Sequence, residues 1–444
     1  MQTRYLLLIP HPDSDLLLVA RSSVGTALPA VTRDDGSFWQ NVDHINAMAE
    51  SVVGTSTTVR RCLAVQRDDE EERRTTCYLL EVLATPPLPL TSMAWLAVDA
   101  ARLQLPDAER ALFDAWRSWQ VSCDTRRVPW YETGWHGAAR AWLAGRLGPL
   151  DAIKQLRSWQ RSAVVRIDAG GERFFLKAVP PHFAHELPLS VWLAHQFPEC
   201  VPAVQAADPE RGWLLLRAAP GVGLDTHPDA EQWAMALRAY AELQIATVPH
   251  AQELAAFGVP VRDDAWLRAG LDALLSDEAA FLLDRQGGLN RDELTALRAR
   301  GPALHDVCAA LATCGIPPTL EHGDFGPWQV LADGPTVTFL DWSDSAIACP
   351  LWSLASFLID LPLELSRPHT RARLVDAYLA PWERLVPRDT LRRAWALADE
   401  LYGLVGALIY HREILPHMEV RWEMERMLPF FARRLLATRD TVEG

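Results

Sequence analysis

The sequence predicts an α+β protein in which a strand-rich front part is followed by a helical remainder. Apolar runs of strand length are concentrated before residue 218. From about residue 225 onwards, apolar residues recur every three or four positions, which is typical of amphipathic helices. At one domain per ~150 residues, a chain of 444 residues is expected to form two or three domains.

Composition limits the classes of protein that this chain can belong to. Hydrophobic residues make up 49% of the chain, which is enough for sizeable cores. The net charge of −14 argues against a nucleic-acid partner, because phosphate backbones demand a basic surface. An acidic protein favours neutral or cationic small molecules.

Cysteine usage and the apolar runs predict the compartment. The seven cysteines are scattered, with no CxxC pair, so we expect reduced thiols rather than a disulfide scaffold or a zinc site. The N-terminal apolar run at 6–10 is soon broken by Asp13 and does not read as a signal peptide. The run at 401–410 is half of what a membrane span requires. We therefore expect a cytoplasmic protein without a membrane partner, whose oligomeric state the sequence leaves open.

Residues 1–120 are predicted to form the first unit. Its expected elements are strands at 5–9, 16–20 and 77–83 and helices at 42–53 and from residue 107. Strands with one central and one closing helix resemble a Nudix domain in architecture. That family carries several glutamates before a glycine at the position of Gly54, whereas this chain has only Glu50 there. One carboxylate cannot hold the ions of diphosphate hydrolysis, so we interpret the unit as non-catalytic and keep Nudix-type hydrolysis as the weakest alternative.

Residues 121–150 are interpreted as a connector that ends in a short helix near Gly145 or Gly148. Its aromatic, turn-rich stretch contains Trp130, Tyr131 and Trp135. These rings either stack on a ligand or attach the first unit to the next one. The second interpretation is favoured, because aromatic side chains bury large areas at domain contacts.

Residues 151–218 are predicted to form a small β unit. Residues 162–168 alternate as a strand, Gly170-Gly171 makes a turn, and 173–179 form the returning strand. Lys177 lies inside this apolar strand and needs an anionic partner, unless the strand is an edge strand that turns Lys177 towards water. Glu186, in a predicted helix at 185–197, is either that partner or an exposed helix residue. The loop at 158–162 is not glycine-rich, and no GxxxxGK[ST] occurs, which excludes a P-loop site.

Helical patterns dominate residues 219–444. The predicted helices cover 231–246, 264–275, 291–314, 370–379, 391–413 and 422–438. Prolines follow two of them, at Pro317-Pro318 and at Pro381.

The candidate chemistry lies in residues 321–355, EHGDFGPWQVLADGPTVTFLDWSDSAIACPLWSLA. Asp324 is followed five residues later by Gln329, and a predicted strand at 336–340 ends at Asp341. Two carboxylates and an amide oxygen on adjacent short segments can converge on one point. Such a set suits Mg²⁺, which is usually held by one or two carboxylates together with substrate phosphates. Asp324 would then take a proton from an incoming hydroxyl, while Gln329 and Asp341 hold the ion.

This stretch resembles the signature of the aminoglycoside phosphotransferase and choline-kinase-like family, HGDxxxxN followed by a strand and [IL]DW. The matching residues are His322, Gly323, Asp324, Asp341 and Trp342. The chain departs from the signature at Gln329, where the family has Asn, and at Ser353, where the family has a carboxylate that braces the catalytic loop. The resemblance implies a bilobal protein-kinase-like fold, with a small β lobe at 151–218 and a large helical lobe at 219–444.

The resemblance also implies roles for individual residues. ATP or GTP would donate the phosphoryl group to a hydroxyl of a small acceptor such as an aminoglycoside, an amino alcohol or a sugar-like compound. Lys177, paired with Glu186, would bind the α- and β-phosphates, and backbone groups near Arg217 and Ala219 would read the adenine edge. His322 is interpreted as a structural histidine that braces the loop. A catalytically impaired kinase-fold protein that binds nucleotide or regulates is the alternative, motivated by Gln329 and Ser353.

Overall fold

The computed structural model describes residues 2–23, 25–68, 72–84, 92–226, 228–359 and 361–437. The chain forms two compact units, the first from Met1–Pro180 with Glu210–Arg217 and the second from Pro181–Pro209 with Ala218–Gly444. Both contain helices and strands, which confirms the α+β class. No helix in the described part of the chain has the length and apolar composition that crossing a membrane requires.

The front part of the first unit consists of two sheets and their flanking helices. Its elements are β1 (Gln2–Leu8), β2 (Leu16–Ser22), β3 (Gly25–Ala27), β4 (Ala30–Asp34), α1 (Asp43–Val53), β5 (Thr57–Asp68), β6 (Arg73–Val82), β7 (Met93–Ala97), α2 (Val98–Gln104) and α3 (Asp107–Val121). One sheet has the order β4-β1-β6-β5, with β1 parallel to β6, and the other has the order β3-β2-β7. Leu6, Leu17, Phe113 and Trp116 belong to the core that joins the sheets to α3.

The predicted strands and helices of this part are confirmed, with β6 starting earlier than expected. Helix α1 ends at Gly54, whose φ of 77° is the left-handed conformation that terminates helices. Strand β5 was not predicted, because Arg60 and Arg61 interrupt its apolar pattern. Both arginines are nevertheless buried, since Arg60 Nε donates to the Tyr131 carbonyl at 2.8 Å and the Arg61 guanidinium lies 4.8 Å from the Trp119 ring centre. Whether this part is a Nudix-like domain stays a prediction.

A second sheet system completes the first unit. Its elements are α4 (Trp135–Leu147), β8 (Ala152–Trp159), β9 (Ser162–Ala169), β10 (Glu172–Ala178) and, after the second unit's β11 (Val204–Asp208), β12 (Trp213–Arg217). Strands β12, β10, β9 and β8 are neighbours in that order and run antiparallel. The predicted turn at Gly170-Gly171 is confirmed, with φ of 58° and 79°.

Strand β8 was not predicted, and the predicted loop at 158–162 is a two-residue turn between β8 and β9. The polar residues of β8 are buried because they bind the backbone of β5. Gln155 Oε1 accepts from the Val59 N–H at 2.9 Å, and its Nε2 donates to the Val59 carbonyl at 2.8 Å. The connector rings Trp130 and Tyr131 are buried as well, and Trp130 Nε1 donates to the Trp159 carbonyl at 2.9 Å. These contacts bear out the interpretation of the rings as attachment.

The second unit is mainly helical. Its helices are α5 (Glu186–Gln196), α6 (Ala230–Thr247), α7 (Ala251–Ala256), α8 (Asp264–Ser276), α9 (Arg291–Ala299), α10 (Gly301–Thr313), α11 (Leu351–Phe357), α12 (Pro368–Leu379), α13 (Arg388–Leu408) and α14 (Met427–Ala437). Its short strands are β13 (Val222–Gly223), β14 (Val261–Arg262), β15 (Thr319–Glu321), β16 (Val330–Asp333), β17 (Thr336–Phe339) and β18 (Ala346–Ala348). They form two sheets with the orders β13-β16-β17 and β14-β18-β15.

Three helix predictions were wrong at their boundaries. The helix expected at 291–314 is two helices, because Pro302 has no N–H to continue the first one. The helix expected at 391–413 ends at Leu408 and continues as a π-helical segment, Ile409–Ile414. The helix expected at 422–438 starts only at Met427, which places Pro429 in its first turn, where proline is tolerated. Its expected last residue, Thr438, lies outside the described residues.

Candidate active site

The catalytic loop is positioned by a contact that only glycine allows. Strand β15 leads into His322, Gly323 and Asp324. Gly323 has a φ of 81°, and a Cβ built on it would lie 2.0 Å from the Asp344 carbonyl oxygen. The loop therefore packs backbone to backbone against the segment that follows Asp341.

Gln329 lies beside Asp324. It ends a 3-10 turn, Pro327–Gln329, and its Nε2 is 3.5 Å from Asp324 Oδ2. Its own carbonyl accepts the N–H of Leu340, the residue before Asp341, at 2.8 Å. The structure thus brings the segments of Asp324, Gln329 and Asp341 together within the second unit.

Asp341 follows β17 in a strained conformation. Its φ of 61° lies in the left-handed region, which costs a non-glycine residue on the order of 1 kcal/mol. Ser343 Oγ donates to Asp341 Oδ1 at 2.7 Å. On the other side, His322 Nε2 contacts the Leu340 carbonyl at 2.8 Å, and the His322 ring lies 4.9 Å from the Trp342 ring. These contacts are those expected of a structural histidine, because the His322 ring contacts the backbone that presents Asp341, and this interpretation stays a prediction.

The donor set fits a magnesium ion that arrives with a nucleotide. In the described ranges there is no group of three or more His, Cys, Asp and Glu side chains that could hold a metal ion on its own. Two carboxylates and one amide oxygen are a sparse set, and Mg²⁺ is commonly bound in this way, with phosphate and water oxygens completing the octahedron.

A buried carboxylate lies directly before the catalytic loop. Glu321 is 2% exposed, and Ser353 Oγ donates to its Oε1 at 2.8 Å. The same Ser353 oxygen lies 3.4 Å from the N–H of His322, as its acceptor. Ser353 thus supplies no carboxylate of its own, and its hydroxyl contacts both the Glu321 carboxylate and the backbone of the loop. The buried carboxylate is that of Glu321 on β15, whereas the family has one at the position of Ser353 on α11. The Ser353 hydroxyl donates to Glu321 and accepts from the loop.

Arg262 holds this carboxylate in place. It is 2% exposed and lies with Nη1 3.7 Å from Glu321 Oε2. Its Nη2 donates to Glu413 Oε2 at 2.7 Å and to the Asp344 carbonyl at 3.0 Å. Burial raises the pKa of Glu321, and the Arg262 charge opposes that rise. The Arg262 guanidinium thus contacts both segments that meet at Gly323, through Glu321 on one side and the Asp344 carbonyl on the other.

Glu186 belongs to the same arrangement. It is 2% exposed at the start of α5, so its interpretation as an exposed helix residue was wrong. Its Oε1 accepts the Trp342 N–H at 3.2 Å, which ties α5 to the residue after Asp341. The preceding His185 is also buried, and this burial lowers its pKa to about 4.

Lys177 lies in the first unit, on a central strand. Strand β10 pairs with β9 on one side and β12 on the other, and Lys177 is 8% exposed. The alternative of an edge strand that turns Lys177 towards water was therefore wrong. Arg217 ends β12 and directs its side chain to Glu172, while Ala219 follows in the second unit. The adenine-reading role of these two residues stays a prediction.

The polar residues Glu400 and His411, on α13 and the π-helical segment after it, have structural partners. Glu400 pairs with Arg300 at 3.0 Å, and His411 Nε2 lies 3.0 Å from Asp277. Tyr402 is buried as well, burial raises its pKa, and its hydrogen bond with Ser356 opposes that rise.

The predictions from the sequence did not include Glu321 or Arg262, and they did not include the contact of Ser353 with the loop. A signal was present for two of them, because Glu321 and Arg262 are charged residues in short apolar strand patterns, where a charge needs a partner. Which partner each one has depends on chain segments that are far apart, and the sequence does not reveal it.

Comparison with known proteins gives one family and several distant structures. A family model described as "Phosphotransferase enzyme family" matches residues 152–393. No curated relative matches the sequence.

Similar solved structures include three proteins described as kinases or kinase family members. Choline kinase from Cryptosporidium parvum Iowa II is 11% identical, with a TM-score of 0.49, and the match covers 69% of this chain and 96% of that chain. A choline/ethanolamine kinase family protein from Mesorhizobium loti is 20% identical, with a TM-score of 0.47 and coverage of 70% and 95%. A putative fructosamine-3-kinase from Thermobifida fusca is 18% identical, with a TM-score of 0.42 and coverage of 67% and 97%. Similarity at this level identifies no substrate for this chain.

Proposed function

Because the chain belongs to the phosphotransferase enzyme family, we propose that it transfers the γ-phosphoryl group of ATP or GTP to a hydroxyl group of a small molecule. The observation that carries this proposal is the packing of the Asp324 loop on the segment after Asp341. The Gln329 carbonyl also accepts a hydrogen bond from the N–H of Leu340, which precedes Asp341. Phosphoryl transfer depends mostly on such positioning and on electrostatic stabilisation.

In the proposed reaction, the acceptor oxygen attacks the γ-phosphorus, and the bond from that phosphorus to the bridging oxygen breaks, which releases the nucleoside diphosphate. Asp324 orients the acceptor hydroxyl and takes its proton. Asp341 and Gln329 would hold Mg²⁺, which neutralises charge on the phosphate oxygens when it is bound. Ser343 fixes one oxygen of Asp341.

We further propose that Lys177 binds the α- and β-phosphates and that Glu186 is its ion-pair partner. Backbone groups near Arg217 and Ala219 would read the adenine edge. Burial of Lys177 on a central strand supports the first assignment, because a buried ammonium group requires anionic neighbours. The family's usual placement of these functions supports the rest.

The acceptor is proposed to be a neutral or cationic hydroxyl compound, such as an amino alcohol, an aminoglycoside or a sugar-like compound, since the chain carries a net charge of −14. The seven cysteines, all within the described residues, are free thiols, which fits a reducing cytoplasm.

The test is ADP release from Mg-ATP in the presence of an acceptor panel drawn from these three classes, repeated with Mg-GTP. We expect turnover that depends on both the metal and one acceptor class. A protein that releases no diphosphate with any of them would contradict the proposal.

The second candidate is a nucleotide-binding protein that no longer turns over. It is favoured by Gln329 and Ser353, which stand where the family has Asn and a carboxylate. Calorimetry with Mg-ATP separates the two functions. Tight nucleotide binding without turnover, unchanged by Asp324→Asn, would support this candidate.

A further inference from the structure

A cavity of about 620 Å³ opens among helices α12, α13 and α14 of the second unit, and we propose that it binds an anion that carries a phosphate group. Three arginines line it, Arg371 from α12, Arg392 from α13 and Arg434 from α14, together with Trp395 and Asp399. We call it the three-arginine cavity. Its volume is in the range of small-ligand sites.

The charge of this lining is opposite in sign to that of the protein. Three guanidinium groups face one carboxylate, Asp399, whereas the whole chain carries a net charge of −14. The partner of Arg392 is Asp376, which does not belong to the lining. With Asp376 counted, three guanidinium groups face two carboxylates among the described residues, so an anion that enters the cavity meets one positive charge in excess.

The two arginines that share Asp399 are held loosely by it. Arg371 Nη2 lies 3.3 Å and Arg434 Nη2 lies 3.2 Å from the two oxygens of Asp399. Charge-assisted hydrogen bonds in proteins are typically about 2.7–2.9 Å, so both contacts are long. Asp399 is thus shared between two guanidinium groups of the lining.

Aromatic rings orient both guanidinium groups. Arg371 lies 5.8 Å from the Trp395 ring centre, and Arg434 lies 5.9 Å from the Tyr402 ring centre. Stacking of this kind pre-orients the planar fork with which arginine binds phosphate. Three forks from three helices match the several oxygens of a phosphate group better than the two oxygens of a carboxylate.

A solvated network of surface ion pairs is the simpler explanation of such arginines. Several ion pairs elsewhere on the second unit are one to one and short, as for Arg268 and Asp264 at 2.7 Å or Arg433 and Glu293 at 2.7 Å. The three-arginine cavity differs because its arginines outnumber its carboxylates around an open volume. No residue proposed for catalysis lines it, so the inference is independent of the proposed function.

The test is isothermal titration of the full-length protein with inorganic phosphate at low ionic strength, with chloride held constant. We expect saturable binding that Arg392→Gln and Arg434→Gln each weaken by at least about tenfold, the loss of one charge-assisted contact. Arg393→Gln is the matched control, because Arg393 is the exposed neighbour of Arg392 outside the lining. Lys177→Met removes phosphate binding at the proposed nucleotide site, so the binding that this variant retains reports on the three-arginine cavity. Arg393→Gln is not expected to change the affinity.

Three results would overturn the inference: no saturable binding by the wild-type protein, equal affinity in all variants, or loss of binding in Lys177→Met alone. Arg392 is exposed, so its variant tests the inference even if Arg434→Gln fails to fold.

Discussion

The brace of the catalytic loop yields a sharp prediction for Ser353→Asp, which restores the carboxylate that the family signature has at this position. Ser353 is fully buried, and its Oγ lies 2.8 Å from Glu321 Oε1. An aspartate there would place a second carboxylate within about 4 Å of Glu321. Two unit charges at that distance repel by roughly 4 kcal/mol at an effective dielectric constant of ~20. We therefore expect Ser353→Asp to lower the free energy of unfolding by about 4 kcal/mol at pH 8, in addition to the cost of the larger side chain.

Urea denaturation followed by tryptophan fluorescence measures this change. Ser353→Asn is the matched control, because it adds the same volume without the charge and so isolates a packing cost of about 1–3 kcal/mol. Combining Ser353→Asp with Glu321→Gln should recover most of the repulsive loss, and the loss should shrink at pH 5 as one carboxyl group takes a proton. If Ser353→Asp is as stable as Ser353→Asn, or the double variant recovers nothing, the assignment of the brace to Glu321 is refuted.

Three further predictions follow from single residues. Gly323→Ala should lower the free energy of unfolding by several kcal/mol and abolish turnover. The added Cβ would lie 2.0 Å from the Asp344 carbonyl oxygen, at a φ of 81° that favours glycine. A folded, active variant would contradict the backbone contact. Gln329→Asn, the family's residue, should retain turnover and change its dependence on magnesium concentration in an ADP-release titration, whereas an unchanged dependence would remove Gln329 from the metal site. Burial lowers the pKa of His136 and of His185 to about 4 from 6.5, so between these values the unfolded chain binds more protons than the folded one. Stability should therefore fall as pH falls below 6.5, by about 1.4 kcal/mol per histidine at pH 5.5. Each histidine→Gln variant should show a correspondingly smaller loss between pH 7.5 and 5.5.

The approach of the candidate site's segments could be predicted from the sequence because they lie on one short stretch. Asp324, Gln329 and Asp341 are separated by turns whose chemistry is local, so their approach follows from spacing. The brace could not be predicted in the same way. Arg262, Glu321 and Glu413 come from separate elements, and their pairing follows from the packing of the second unit.

The same physical reason explains two of the strands that were missed. Strands β5 and β8 contain Arg60 and Gln155, whose polarity interrupts the apolar pattern. Each is buried because it finds a distant backbone partner, the Tyr131 carbonyl for Arg60 and the Val59 backbone for Gln155. Helix boundaries were missed where a proline decides the start, as at Pro302, since spacing alone does not show on which side of the proline a helix begins.

The most direct test of the proposed phosphoryl transfer is the rate of ADP release by Asp324→Asn, compared with the wild type at saturating Mg-ATP and the acceptor that the panel identifies. If Asp324 takes the acceptor's proton, the variant should bind nucleotide as the wild type does and turn over at least about a thousandfold more slowly. A variant that releases ADP as fast as the wild type would contradict the role of Asp324.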